Sequence, residues 1–294
     1  MAALTSTAVR CIGFGRRIST DIALPGALVD RDPRAAQIVI RRNASPIVNC
    51  QTRPTLLRDG ATLCFTPPGV AEYRCAATDP ATIDVIPHAH VAEDELAALL
   101  IATALPGLLW LQGAFMLHAT AVQMPGRDHA IAIAAPSGIG KSTMLAALAA
   151  HGARVLADDT VCLHIGDRGS IEASGLPGGY FAREADDDDL NRHFVTIDPT
   201  RAVVQAELGA ILFLTRHPDE ISATFARLTA LQGLAALLSH RHRAAIPAMF
   251  GDAGRCLADA TRIARLPAYA WCRRTGSIPL TPDEWATIYR LSGG

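Results

Sequence analysis

His129-Ala-Ile-Ala-Ile-Ala-Ala-Pro-Ser-Gly-Ile-Gly-Lys-Ser-Thr143 is the stretch on which the reading of this chain turns. His129 to Ala135 is an apolar run of strand length, of the kind buried on both faces of a sheet. It enters Pro136, Ser137, Gly138, Ile139 and Gly140, after which Lys141 to Ala150 reads as a helix rich in Ala and Leu that Gly152 stops. Gly138 and Gly140 let successive backbone N–H groups curl around phosphate oxygens without Cβ interference. Lys141 brings positive charge to the β- and γ-phosphates, and the Ser142 hydroxyl is placed to ligate Mg2+. The helix begun by Lys141, Ser142 and Thr143 points its positive end at the same anion. Ala135 stands where the usual pattern has its first glycine. A strand before and a helix after separate a phosphate-binding loop from a glycine turn that binds nothing. Residues 136–143 are therefore expected to bind ATP with Mg2+.

Outward from the loop, Arg154-Val-Leu-Ala157 reads as the next strand and stops abruptly at Asp158-Asp159. In phosphate-loop enzymes an acid at the end of a neighbouring strand holds Mg2+. Two adjacent aspartates allow one to anchor the metal while the other accepts a proton from an attacking hydroxyl. The plainer reading is a solvated strand end with an Asx turn. His118 falls in Leu117-His-Ala-Thr-Ala-Val122, the strand before the loop strand, where it is either a core residue or a pocket residue. Arg241 and Arg243 follow a helix that Thr229 can cap. Their guanidinium groups suit phosphate oxygens, and equally suit the negative end of that helix.

The first ninety residues differ in texture. Ile38-Val-Ile40, Thr62-Leu-Cys-Phe65 and Ile83-Asp-Val-Ile86 are short β-rich runs separated by Pro, Gly, Asn and Asp. They predict a small, mainly β N-terminal domain (residues 1–90) ahead of an α/β domain (residues 91–294). Leu96 to Gly126 contains no Lys, Arg, Asp or Glu, long enough for a membrane span. Pro106-Gly107 is expected to break it, giving a buried helix over about Ala92 to Leu105 and then the His118 strand. Leu208 to Leu214 reads as a core strand, and Leu231, Leu234, Leu237 and Leu238 as one face of the Thr229 helix. Thr281-Pro-Asp-Glu284 marks a further helix start. Asp186 to Asp189 reads as a solvated loop.

Composition narrows the partners. Of 294 residues half are hydrophobic, ample for a large core, and the net charge of -1 provides no basic footprint for nucleic acid or an anionic membrane. Seven cysteines without a CxxC pair point to a reducing compartment, and the N-terminus lacks a secretory pattern, so a cytoplasmic location is expected.

Leu117-His118-Ala119, Ser137-Gly-Ile-Gly-Lys-Ser142, His151-Gly152 and Val155-Leu-Ala-Asp-Asp159 together resemble the HPr serine kinase/phosphorylase family. More closely they resemble the HPr-kinase-like enzymes found with lasso-peptide and other modified-peptide pathways. The resemblance implies a P-loop kinase domain of the HPr kinase/phosphoenolpyruvate carboxykinase type. It also implies ATP-dependent phosphorylation of a serine hydroxyl on a peptide or small protein, in the sharpest form the C-terminal serine of a lasso-peptide precursor. On that footing Lys141 and the loop hold phosphates, Ser142 and Asp159 hold Mg2+, Asp158 is the general base and His118 lines the pocket. Homo-oligomeric assembly stays open. The glycine-rich segment with a glutamate that true HPr kinases carry after the aspartates is replaced here by Gly175-Leu-Pro-Gly-Gly-Tyr180 and the acidic run. This departure weighs against HPr itself as substrate. A small-molecule kinase on the same fold and a nucleotide-sensing module that only binds ATP are the rival readings.

Overall fold

The computed structural model describes residues 8–43, 53–167, 169–182, 193–218, 223–274 and 280–293. The Asp186–Asp189 run lies outside these residues. The fold is mixed α/β, with two large sheets and a two-stranded hairpin. Eight strands, from Val9–Gly13 to Thr82–Pro87, form the first sheet. Alternation builds it: along Ile38-Val39-Ile40 the isoleucines are buried and Val39 is exposed. Ile18, Ile40 and Ile83 of this sheet share one continuous core with Leu100, Leu108, Phe115 and Ile211.

Between the sheets runs the helix Glu93–Leu111, and here the structure departs from expectation. Pro106-Gly107 does not end the helix. Leu100–Ala104 widens into a π turn just before Leu105–Leu111 continues as α-helix. A proline cannot donate to the preceding turn and its ring crowds that turn's carbonyl; the wider turn relieves both problems. At Gly107 a Cβ would lie 2.7 Å from Leu63 Cδ2, so close packing on the first sheet requires the glycine. The helix is long and apolar enough to cross a membrane, yet 61% of its most apolar window is buried within the fold. The Tyr73 hydroxyl donates to its Leu96 carbonyl (2.9 Å), and Trp110 Nε1 donates to the His242 carbonyl (2.7 Å).

The loop strand Ala130–Ala134 sits within the second sheet, which has nine strands. It pairs antiparallel with Ala119–Gln123 and parallel with Gln205–His217. Arg154–Ala157 lies on the other side of Ala119–Gln123. The strand expected through 117–122 is two strands: Phe115–Leu117 pairs with Val161–Ile165, while Ala119–Gln123 pairs with Arg154–Ala157. His118 is the joint between them, and its N–H donates to the His240 carbonyl at 2.8 Å. Gln205–His217, 13 residues long, ties the halves together by pairing first with Ile171–Ser174 and later with Ala130–Ala134 and Ala268–Arg274.

Met144, Leu145 and Leu148 of the helix Lys141–Ala150 pack on Val122, Ile131, Ile133 and Leu212. Thr229 and Thr281 each form a full capping box, with Gln232 and Glu284 respectively. Leu231 does not join the apolar face assigned to it and is 76% exposed. The buried face of that helix centres on Gly233 and Leu237. At about 100° per residue, Leu231 lies roughly 140° round from that centre.

Candidate functional site

The loop leaves the sheet at the end of Ala130–Ala134, with Pro136, Ser137 and Gly138 exposed and Lys141 buried. Gly138 (φ 84°) and Gly140 (φ 103°) take the left-handed conformations that other residues resist. No side chain caps the helix Lys141–Ala150 at its N-terminus, leaving its first-turn N–H groups as an anion-binding end. Arg216 lies across the loop and its Nε donates to the Ile139 carbonyl at 2.8 Å. A Cβ on residue 140 would come within 3.0 Å of Arg216 Nη2, a second reason for glycine there. Burial, and then the charge of Arg273, pull the Arg216 pKa down. Arg273 is itself paired with Glu284 in a buried bidentate contact (2.5 and 3.1 Å), fixing the last helix to the strand Ala268–Arg274.

Lys141 Nζ donates to the carbonyls of Ala135 (2.9 Å) and Pro136 (3.3 Å), and lies 2.8 Å from His118 Nε2. An ammonium has only donors, so His118 Nε2 accepts and the ring proton sits on Nδ1. That proton is donated to the Asp159 carbonyl at 3.0 Å. Burial lowers the His118 pKa, opposed by Asp159 and assisted by Lys141, so the ring is neutral at pH 7. His242 stands 5.8 Å away, ring to ring, and burial pulls its pKa down to about 4. His118, Asp159 and His242 bring ligand-type atoms within 4.8 Å of one another. Both His118 nitrogens already have partners, and His242 Nε2 is on the Ala102 carbonyl at 2.8 Å. This cluster is organised as a hydrogen-bond network rather than as an open metal site.

The two aspartates face different neighbours. The Ser142 hydroxyl donates to Asp158 Oδ1 at 3.1 Å, and the Phe181 N–H donates to Oδ2 at 3.0 Å. Burial raises the Asp158 pKa above the usual carboxylate value, against the pull of these hydrogen bonds. Asp159 takes a positive φ of 63°, turning its side chain toward His118, whose Nδ1 lies 3.6 Å from Asp159 Oδ1. Ser142 thus rests on Asp158, whereas the resemblance implies a Ser142–Asp159 pair holding Mg2+.

Beyond the aspartates the replacement segment Gly175–Tyr180 explains its own glycines. A Cβ at Gly175 would lie 2.2 Å from Ala157 Cβ, and one at Gly179 would lie 2.4 Å from the Val195 carbonyl oxygen. This close passage brings Phe181 onto Asp158 and leaves a cavity of about 310 Å³ beside both aspartates. Phe14 and Pro25 of the first sheet's turns, Ile101 of the long helix, and Leu176, Phe181 and Phe194 form most of its walls. Arg243 Nε donates to the carbonyl of Ala102, another wall residue, at 3.0 Å. Arg241 is turned elsewhere: its Nε donates to the Leu238 carbonyl (2.9 Å) and its Nη1 lies 3.6 Å from Cys256 Sγ. It thus closes the C-terminal end of the helix Ala230–Ser239.

Sequence reading missed Arg216 and Phe181, and grouped His242 with Arg241 and Arg243 as a basic cluster suited to phosphate, whereas it packs beside His118. Arg216 lies three residues beyond Phe213, the parallel partner of Ala134, and ligands gather beyond the carboxyl ends of parallel strands. That pairing links residues some eighty positions apart, so the sequence offered only an arginine after a core strand.

No family model matches the chain, and no curated protein matches it. Among solved structures, the HPr(Ser) kinase/phosphatase from Coxiella burnetii aligns over 60% of this chain and 96% of its own, at 14% identity and a TM-score of 0.35. At that score and identity the likeness carries no argument, and the site is read from this chain's own residues.

Proposed function

We propose that this chain is an ATP- and Mg2+-dependent kinase that phosphorylates a serine-type hydroxyl on a peptide or small protein, in the cytoplasm. The observation that carries the reading is the 3.1 Å contact between Ser142 and Asp158. It joins an uncapped, glycine-bounded helix N-terminus to a carboxylate that also lines a cavity. Phosphoryl transfer asks an enzyme for positioning and charge neutralisation, and a phosphate cradle sharing a wall with an acceptor pocket supplies both. A mere ATP sensor would have no use for the second compartment.

The donor set fits magnesium: a hydroxyl and two adjacent carboxylates are hard oxygen ligands. Ser142 and Asp159 are the residues assigned to it, and the ion would offset the charge of the phosphates. Ser142 and the Phe181 N–H hold the two oxygens of Asp158, whose carboxylate lines the cavity and can accept a further hydrogen bond and a proton there. A raised pKa suits Asp158 to that task, because a base works best with its pKa closer to the working pH. The acceptor oxygen then bonds to the γ-phosphorus while the bond from that phosphorus to the β–γ bridging oxygen breaks. The bonding pair leaves on ADP, and the acceptor's proton passes to Asp158. Lys141 and Arg216 neutralise phosphate oxygens, and neutral His118 positions Lys141 through its Nε2 lone pair. Residues 1–90 contribute the far wall of the acceptor cavity.

Calorimetry with ATP and Mg2+ on the wild-type chain and on Lys141→Met tests the reading. Micromolar binding that Lys141→Met weakens at least tenfold is expected. Equal binding by both proteins, or none by the wild type, would refute it.

A further inference from the structure

The cavity's character narrows the acceptor. Resting on the kinase reading above, we infer that the hydroxyl phosphorylated here is carried next to a large, uncharged apolar group, which fills the cavity while the hydroxyl reaches Asp158. Three observations support this. First, the walls combine aromatic and aliphatic surface from four separate segments: Phe14 and Pro25, Ile101, Leu176 with Phe181, and Phe194. Phe181 and Phe194 meet edge to face with ring centroids 5.1 Å apart, which holds two of the walls rigidly in place. Second, the volume of about 310 Å³ is at the small end for ligand sites. It corresponds to about ten waters' share of bulk liquid, enough for one large side chain and the atoms that carry the hydroxyl. Third, among the described residues the only charged side chains lining it are Asp158 and Asp159, side by side at one end.

Those carboxylates repel an anionic acceptor, and the apolar walls offer nothing to replace the hydration of a cationic one. An apolar neighbour, by contrast, gains from burial and thereby presses its hydroxyl toward the charged end. Binding energy from a non-reacting part of the acceptor then goes into orienting the reacting atom. The apolar group can belong to a peptide side chain beside serine or to a small apolar alcohol, and the same measurement separates the two.

The test uses the full chain with γ-labelled ATP, Mg2+ and two sets of acceptors. One set is short serine peptides that differ only in the residue beside the serine: Leu, Phe, Gly, Asp or Lys. The other is free primary alcohols of matching apolar bulk. Label on the Leu and Phe peptides at least tenfold above the Gly, Asp and Lys peptides supports the inference with a peptide source. Label confined to the alcohols supports it with a small-molecule source. Equal labelling of all peptides, preference for Asp or Lys, or no labelled acceptor despite bound ATP would overturn it while leaving the nucleotide site intact. Absence of ATP binding would sink the kinase reading itself, and the inference with it.

Two variants guard against misfolding. Ala98→Trp fills the cavity from an exposed position on the long helix and should cut labelling of the Leu peptide at least tenfold with ATP affinity unchanged. Ile101→Ala only enlarges the cavity and should shift preference from Leu toward Phe. Unaltered selectivity in both variants would also overturn the inference.

Discussion

The two sides of Asp158 are built in opposite ways. On the loop side, residues 130–142 form one continuous strand, turn and helix, which His118, Asp158 and Arg216 join from other segments. Lys141 reaches back to Ala135 and Pro136. On the cavity side, the walls come from residues 14, 25, 101, 176, 181 and 194, and no two of the four wall segments touch through local sequence. The loop side is polar, with Lys141 and Ser142 hydrogen-bonded and the first-turn N–H groups left without a side-chain cap. The cavity side is apolar and depends on close backbone approach at Gly175 and Gly179. On the proposed reading, chemistry common to any acceptor would sit in the contiguous half and choice of acceptor in the assembled half. Such a division lets the walls change without disturbing the phosphate grip.

The sharpest way to break this comparison is at the residue the halves share. Asp158→Asn should lower the transfer rate on the order of 10²–10⁴-fold, the usual contribution of a positioned base. ATP affinity should hold, because Asn can accept from Phe181 with its carbonyl and donate to Ser142 with its amide. The same variant should raise the melting temperature at pH 7. Ionising a carboxyl whose folded pKa is raised costs stability as pH climbs from the unfolded value through the folded one, and Asn escapes that cost. Below the ordinary carboxylate range the two proteins should melt alike. Transfer by the wild type should, for the same reason, fail on acidification at a higher pH than an unperturbed aspartate would give. A variant equally active and no more stable would separate Asp158 from both halves.

Next in size, Gly175→Ala enters from the cavity side and presses on Ala157, next to Asp158. Its methyl would meet Ala157 Cβ at 2.2 Å, and overpacking of this kind costs about 1–3 kcal/mol. Thermal melting should register that loss, and acceptor KM should rise well beyond any change in ATP affinity. Equal damage to both would show that the halves are mechanically one. Smallest, Arg216→Ala should weaken ATP binding about tenfold, roughly 1.4 kcal/mol, with acceptor selectivity across the peptide set unchanged. Isothermal titration and the labelling assay read these two numbers separately.

The same division explains what the sequence disclosed. The loop, its strand and helix, and the capping threonines Thr229 and Thr281 are short-range patterns, and each appears in the fold as read. Pro106-Gly107 misled because a proline ends a helix only if no wider turn precedes it, and the π turn at Leu100–Ala104 depends on packing. Leu231 misled because three other leucines fixed the eye on a stripe whose buried centre is Gly233. His118 looked like a mid-strand residue, and its place at a joint follows from which strands pair on either side. Arg216, Phe181 and the cavity walls were out of reach, since their meaning comes from pairings between distant segments.

The resting position of Lys141 has a thermodynamic consequence. Two carbonyls and an imidazole lone pair lie within hydrogen-bond reach of its ammonium. On the proposed reading, phosphate oxygens would exchange with the two carbonyls while the imidazole keeps its place on the ammonium. The net gain from the lysine is correspondingly smaller than a bare ammonium would give. The reverse exchange is easy for the same reason: when product departs, the ammonium returns to seats already built. On the same reading, this exchange works against tight retention of ADP.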